Sequence, residues 1–383
     1  MSKKDKLPEW TPRDGGKEFA CRLMEGVEGG HDGIASYGDT KSTPVPAEYR
    51  RPSLSVDDYV EGVLKGDCAI LGRAITLVES NSLAHMELAQ EVLKQLLPFA
   101  GKSIRIGITG VPGVGKSTFI ESLGCYLLKL GHKLAVLAVD PSSSITGGSI
   151  LGDKTRMESL CHDKRCFIRP SPTGGALGGV ACKSRETMLV CEAAGFDVIL
   201  IETVGVGQSE ITVRSMVDFF LLLMLAGAGD ELQGIKKGII ELADAVFITK
   251  ADGDNKTQAE VARSGYERAM HYTQPATEGW KPPVITCSAV SGKRIEESWS
   301  IIERFRREAT VSGAFESRRR SQTLEWIYEI VNEHIRTLFF NHPGVAKALA
   351  GIERSVLNGS LPPTAAAARL ITIFEGKELY DGA

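Results

Sequence analysis

Within the stretch GITGVPGVGKSTF, Gly110, Gly115, Lys116 and Ser117 stand at the spacing G-x-x-x-x-G-K-S, after the apolar run IRIGIT and before the helical pattern FIESLGCYLLKL. Glycines at this spacing let successive backbone N–H groups turn into one concavity, and the start of a helix adds positive potential to it. A lysine and a hydroxyl in the same loop complete a cradle for a polyphosphate and a hard divalent cation. The backbone of Gly113, Val114 and Gly115 and the residues Lys116, Ser117 and Thr118 are the candidate contacts. Lys116 would lie on the β- and γ-phosphates and Ser117 on magnesium.

Magnesium needs carboxylates nearby. Asp140 ends the run LAVLAVD, Asp153 lies in the glycine-rich TGGSILGDKTRM, and Glu202 ends FDVILIE. Any one of them alone would serve equally as a helix cap or a solvated loop acid. Beside a phosphate loop, at the carboxyl ends of strands, they become candidates to hold the metal or position water. Gly205 follows, where a backbone N–H could sense a γ-phosphate, and Val206 stands where Ras-like hydrolases carry a water-orienting glutamine. Intrinsic hydrolysis should therefore be slow, and completion of such a site by a partner is worth about 10⁵-fold in the Ras case.

A second constellation sits at the end of the run DAVFIT, in the tetrapeptide Thr249-Lys250-Ala251-Asp252. A carboxylate at Asp252 could accept from guanine N1–H and N2–H2, a donor pair that adenine lacks, and would be left unpaired against adenine. The Lys250 stem would lie along the base and tie back to the phosphate loop, and TCSAVSG brings Ser288 and Ala289 to the base side. The expected ligands are GTP and GDP with Mg²⁺.

These loops need a scaffold. IRIGIT, KLAVLAV, FDVILIE, FFLLLML, AVFIT and PVITCSA are mostly unbroken apolar runs separated by helical patterns. Such runs belong to strands covered on both faces, so the fold class is α/β: a P-loop NTPase with a mostly parallel, doubly wound sheet over residues 101–308. Residues 1–52, rich in glycine, proline and charge, read as an irregular arm. In the helical segment 53–100, Ser55 and Asp58 form a capping-box start, and further helices are expected over 67–79 and 82–97. In the C-terminal helical arm, 309–383, Leu324, Ile327, Val331, Ile335 and Leu338 define one amphipathic stripe and LPPTAAAARLITIF starts another helix. That stripe suits a dimerisation arm, or packing back on its own domain.

Bulk properties exclude several classes. A net charge of −3, with Arg318-Arg319-Arg320 as the longest basic cluster, argues against nucleic acid or an anionic membrane as partner. The longest apolar run, from Phe219 to Ala228, falls short of the roughly 20 residues that span a bilayer. The opening MSKKDKLPEWTPRDGG lacks a signal-peptide core, so a cytoplasmic protein is expected, or a mitochondrial-matrix protein in a eukaryote. The eight cysteines form no C-x-x-C. Cys161, His162 and Cys166 in CHDKRC could seed a metal site, although three soft ligands without a fourth favour thiols beside a loop.

Collectively the strings GITGVPGVGKSTFIE, AVDPSSSITGGSILGDKTRM, RPSPTGGALGGVA, IETVGVGQSE, LAGAGDELQGIKKGIIELAD and KADGDN resemble the MeaB/MMAA family, formerly labelled ArgK, over residues from about 55 to 375. The resemblance implies a homodimeric GTPase that chaperones an adenosylcobalamin-dependent acyl-CoA mutase, typically methylmalonyl-CoA mutase, gating delivery of intact cofactor and removal of damaged cofactor. A cobalamin adenosyltransferase is a further candidate partner. It also implies that Lys116, Ser117, Asp140, Asp153 and Glu202 handle GTP and Mg²⁺, with Lys116, Asp153 and Glu202 in catalysis. A third switch, GAGDELQGIKKG, would carry Asp230, Gln233 and a catalytic Lys236 that respond to the mutase. Thr249 replaces the family's usual Asn, and Ala226 stands where that switch commonly has Pro. Two other readings stay open at this level: a nickel or cobalt metallochaperone GTPase, and a small-molecule kinase with Asp153 accepting the acceptor's proton.

Overall fold

The computed structural model describes residues 54–80, 82–139, 157–170, 177–203, 209–227 and 237–376. Three helices lead in. α1 (Val56–Leu64) begins with the expected capping box: Ser55 Oγ accepts the Asp58 N–H at 3.2 Å and the Asp58 carboxylate accepts the Ser55 N–H at 2.8 Å. α2 (Cys68–Glu79) is capped by Asp67, and α3 (Leu83–Leu96) runs into a short 3₁₀ turn at Pro98.

The alternating region follows as β1 (Ile104–Gly110), α4 (Lys116–Lys129), β2 (Leu134–Val139), α5 (Glu158–Cys161), β3 (Cys166–Arg169), α6 (Leu177–Ala193) and β4 (Val198–Thr203). It continues through α7 (Ser209–Arg214), β5 (Phe219–Leu225), α8 (Lys237–Leu242), β6 (Ala245–Thr249), α9 (Lys256–His271), β7 (Val284–Thr286) and α10 (Ile295–Val311). The strands form one sheet in the order β3-β2-β4-β1-β5-β6-β7, and every pairing among them is parallel.

Both faces are covered, which is why the strands read as continuous apolar runs rather than alternating ones. Ile106, Ile108, Leu200, Phe219 and Leu221 point into one core with Phe119 and Leu123 of α4 and Ile302 and Phe305 of α10. Ile199, Ile201, Phe220, Leu222 and Met224 point into the other, with Val63, Leu71 and Val92 of the leading helices, Val190 of α6 and Ala259 of α9. The leading helices are thus continuous with a core of the sheet. Arg169 at the end of β3 pairs with Glu79, and Lys183 Nζ donates to Val78 O at 2.7 Å, fixing the end of α2 against β3 and α6.

Two elements depart from the sequence reading. β3 occupies CFIR, which is not among the six runs read as strands: it is a four-residue edge strand, half-buried throughout, and so lacks a long apolar signature. β7 keeps only Val284–Thr286 of PVITCSA: Cys287 N–H still makes the last rung to Ile248 O at 2.8 Å, and Ser288 then leaves the sheet to pair with Lys293.

The C-terminal region comprises α11 (Ala314–Asn341), α12 (Pro343–Leu357) and α13 (Pro363–Phe374). The start of α11 is fastened to the sheet by buried charge. Arg319 forks onto the Asp218 carboxylate at 2.6 and 2.7 Å. Arg318 forks onto Asp244 at 3.1 and 3.2 Å. Two arginines of the run, Arg318 and Arg319, are therefore structural staples, while Arg320 is exposed. Further along, Leu324, Ile327, Val331, Ile335 and Leu338 are 46–57% exposed, so the stripe does not pack back on its own domain.

Candidate active site

The phosphate loop leaves β1 at the middle of the sheet. A Cβ on Gly110 would lie 2.4 Å from Leu223 O, so only glycine allows β1 to leave the sheet this close to β5. Gly115, with φ 92°, adopts the left-handed conformation that hands the loop to α4. Between them Val114 is fully buried and anchors the loop in the core. Phe119 N–H is the first to close onto the helix, reaching Gly115 O at 2.9 Å. The N–H groups of Lys116, Ser117 and the exposed Thr118 therefore precede the helical ladder, as an anion site requires.

Lys116 Nζ bridges the loop, donating to Gly110 O at 2.9 Å and lying 3.4 Å from Val111 O. Burial pushes its pKa below the ordinary lysine value, while the carboxylates of Glu202 and Glu210 oppose that shift. A polyphosphate would supply the opposite charge that burial demands. Glu210, on α7, was not singled out from the sequence; its only signal was its place at the end of IETVGVGQSE.

Ser117 Oγ donates to Glu202 Oε1 at 3.0 Å, which joins the first turn of α4 to the carboxyl end of β4. Below it, Thr203 Oγ1 donates to Thr109 Oγ1 at 2.9 Å, a buried pair clamping β4 to β1. The hydroxyl and carboxylate oxygens brought together here are the hard donors magnesium takes. β2 is carried to Val139, in register with Thr203, one residue short of Asp140. Asp140, Asp153, Gly205 and Lys236 lie outside the described residues, as do Asp230 and Gln233.

The base-side constellation is built at the carboxyl ends of β6 and β7. Ser288 is fully buried; its hydroxyl donates to Asp252 Oδ2 and receives the Ser291 N–H at 3.2 Å. Ala251 N–H donates to Cys287 O at 3.1 Å, locking the two loops together, and Ala289 is half-buried beside them. Lys250 adopts φ 55°, the left-handed region that costs a branched or long side chain, and the Asn255 amide holds its carbonyl at 2.8 Å. The tie to the phosphate loop expected of Lys250 is made in this structure by its neighbour: Thr249 Oγ1 donates to Val114 O at 2.7 Å, and Lys250 is exposed. Sheet order explains the layout. With β1 central, the carboxylate of β4 lies on one side of the phosphate loop and the β6–β7 loops on the other.

Among the described residues no group of three or more His, Cys, Asp or Glu side chains could hold a metal ion. Cys161 is exposed, and burial pushes the Cys166 thiol up to about 12, far from a thiolate ligand at neutral pH.

The profile of the methylmalonyl-CoA mutase-associated GTPase family MeaB matches residues 71–343. The chain belongs to this family. A putative GTPase of Caulobacter vibrioides is 52% identical over 323 residues, covering 84% of this chain and 99% of that relative. The mouse methylmalonic aciduria type A homolog, mitochondrial, is 46% identical, covering 84% of this chain and 80% of that relative. A crystal structure described as an LAO/AO transport system kinase superposes with a TM-score of 0.69 at 36% identity, covering 85% of this chain and 99% of that one. As a member of the family the chain is a GTP hydrolase, with a guanine nucleotide as its ligand. No helix among the described residues is long and apolar enough to cross a membrane.

Proposed function

We propose that this chain is a magnesium-dependent G protein that gates cobalamin delivery to, and protects, an adenosylcobalamin-dependent acyl-CoA mutase, methylmalonyl-CoA mutase by preference. The observation that carries the reading is the tie from Thr249 to Val114, which joins a phosphate loop to a carboxylate oriented by Ser288. Adenine has no donor pair for that carboxylate, so the site favours guanine. The family description and the name of the mouse relative support the mutase as partner.

In this reading Lys116 holds the β- and γ-phosphates and Asp252 accepts from the base, with Lys250, Ser288 and Ala289 lining it. Ser117 and Glu202, with Asp140 and Asp153, would hold magnesium. When bound, the cation neutralises charge on the β- and γ-phosphate oxygens. Gly205 would sense the γ-phosphate and Lys236 would complete the catalytic set on contact with the mutase. The exposed stripe of α11 supports a homodimer, since an apolar face of this length favours burial. A cobalamin adenosyltransferase would be a further member of the complex. The cytoplasm, or the mitochondrial matrix in a eukaryote, is the proposed compartment.

The test is phosphate release with and without a cobalamin-dependent acyl-CoA mutase from the same source. A slow GTP rate that rises with the mutase supports the reading. An unchanged rate, with no complex on a sizing column in the presence of GTP, refutes it.

A further inference from the structure

The short helix α7 runs from the nucleotide site to the start of the C-terminal region. It lies on β1 where Gly107 has no side chain: a Cβ there would come within 2.8 Å of Val213 Cγ1. Glu210, in the first turn of α7, is 4% exposed. Burial lowers the pKa of Lys116 while the carboxylates of Glu202 and Glu210 raise it, so Glu210 stands within electrostatic reach of the ammonium. Glu202 would pass its charge to magnesium, whereas a buried Glu210 carboxylate competes with phosphate for the same cation.

The other end of α7 is gripped by α6, α8 and α11. Arg185 of α6, its side chain 5% exposed, donates through Nη2 to Ser215 Oγ at 2.7 Å and to Ser215 O at 3.1 Å. The same guanidinium pairs with Glu329 of α11 at 3.2 Å and lies 5.8 Å from the ring centre of Trp326. Gln322 of α11 donates to Val217 O at 2.8 Å, and Arg214 Nε donates to Leu242 O, at the end of α8, at 3.1 Å. A six-residue helix is only about 9 Å long and moves as one body. What holds Ser215 therefore holds Glu210.

We propose that Arg185 is a positioning residue for the nucleotide site: by gripping the end of α7 it keeps Glu210 beside Lys116, in competition with the γ-phosphate, and it ties that competition to α11. The inference rests on the nucleotide-site reading only in taking Lys116 to hold the phosphates. Its consequence is that loosening Arg185 tightens the binding of a triphosphate, whereas general damage to the fold would weaken it. GDP, with no γ-phosphate, feels the competition less.

The experiment measures GTP and GDP affinity by calorimetry in magnesium buffer, with no partner protein, for wild type, Arg185→Met, Glu210→Gln and the double variant. Arg185→Met should tighten GTP by about fivefold and GDP by less than about twofold. Glu210→Gln should tighten GTP by a similar factor, and adding Arg185→Met to it should change GTP affinity no further. Weaker GTP binding in Arg185→Met, an unchanged GTP affinity in Glu210→Gln, or effects that multiply in the double variant each overturn the proposal. Should Arg185→Met fail to fold, Ser215→Ala removes only the hydroxyl that Arg185 holds. It should tighten GTP by about twofold, a gain that vanishes in the Glu210→Gln background, and no gain overturns the proposal. A wild type that takes ATP as readily as GTP would remove Asp252 as base reader, yet the same comparison made with ATP and ADP would still decide the role of Arg185.

Discussion

Asp252→Asn is the perturbation whose outcome the geometry fixes most closely. Ser288 Oγ donates to Asp252 Oδ2 and is fully buried, with its own acceptor role taken by the Ser291 N–H. In the variant, that hydroxyl retains the amide oxygen at the Oδ2 position and turns the new NH2 to the Oδ1 position, towards the base. Guanine then loses one charge-assisted hydrogen bond, and its N2 amine meets a donor. Hydrogen bonds to charged groups contribute about 1.5–3 kcal/mol, and an unpaired buried donor adds a further cost, so GTP affinity should fall by roughly 10²- to 10³-fold. Xanthosine triphosphate carries a carbonyl where guanine has the amine, and accepts from the new NH2, so its affinity should rise above that of GTP. Displacement of a fluorescent GDP analogue reads both. A loss of GTP affinity under threefold, or no gain for xanthosine triphosphate, refutes the assignment of Asp252 and of the Ser288 hydroxyl that orients it.

Asp244 is 1% exposed in its side chain and accepts from Phe220 N–H at 2.9 Å, Thr277 Oγ1 at 2.6 Å and the Arg318 fork. Asp244→Asn should cost about 3–5 kcal/mol, the usual result of removing one partner of a buried pair, and lower the melting temperature by roughly 10 °C; adding Arg318→Met should recover part of that loss in calorimetry. Lys116 has its pKa depressed by burial below the ordinary value of 10.5, so the nucleotide-free folded state binds fewer protons than the unfolded chain between the two values. Stability of wild type relative to Lys116→Met should therefore rise as pH climbs towards 10.5, as read by urea unfolding at several alkaline pH values, while Lys116→Met loses GTP hydrolysis at every pH. Val331→Asp with Ile335→Asp, on the exposed face of α11, should give a monomer by light scattering and leave GTP hydrolysis without the mutase unchanged.

The phosphate loop was legible because all its parts are contiguous between Gly110 and Thr118, and the central strands because burial on both faces leaves an unbroken apolar run. β3 was not, because an edge strand of four half-buried residues carries no such run. In the sequence Arg318 and Arg319 stand out only as part of the longest basic cluster; their carboxylate partners lie 74 and 101 residues away, and nothing local marks the pairing. Thr249 shows the same limit more finely. Its hydroxyl is evident in the sequence, but the acceptor 135 residues upstream is set by the sheet, which places β6 two strands from β1. Asp140, Asp153, Gly205 and Lys236 fall outside the described residues, so their roles stand on motif chemistry and resemblance.

The measurement that bears most directly on the central claim is competition between GTP and ATP for the wild-type site, with magnesium present and no partner added. A carboxylate held by Ser288 against the base edge predicts that GTP displaces a bound guanine nucleotide at concentrations at least a hundredfold below ATP, a gap of about 2.7 kcal/mol. Equal displacement by ATP would contradict the account at its base-reading step and return the phosphate loop to a general nucleotide site.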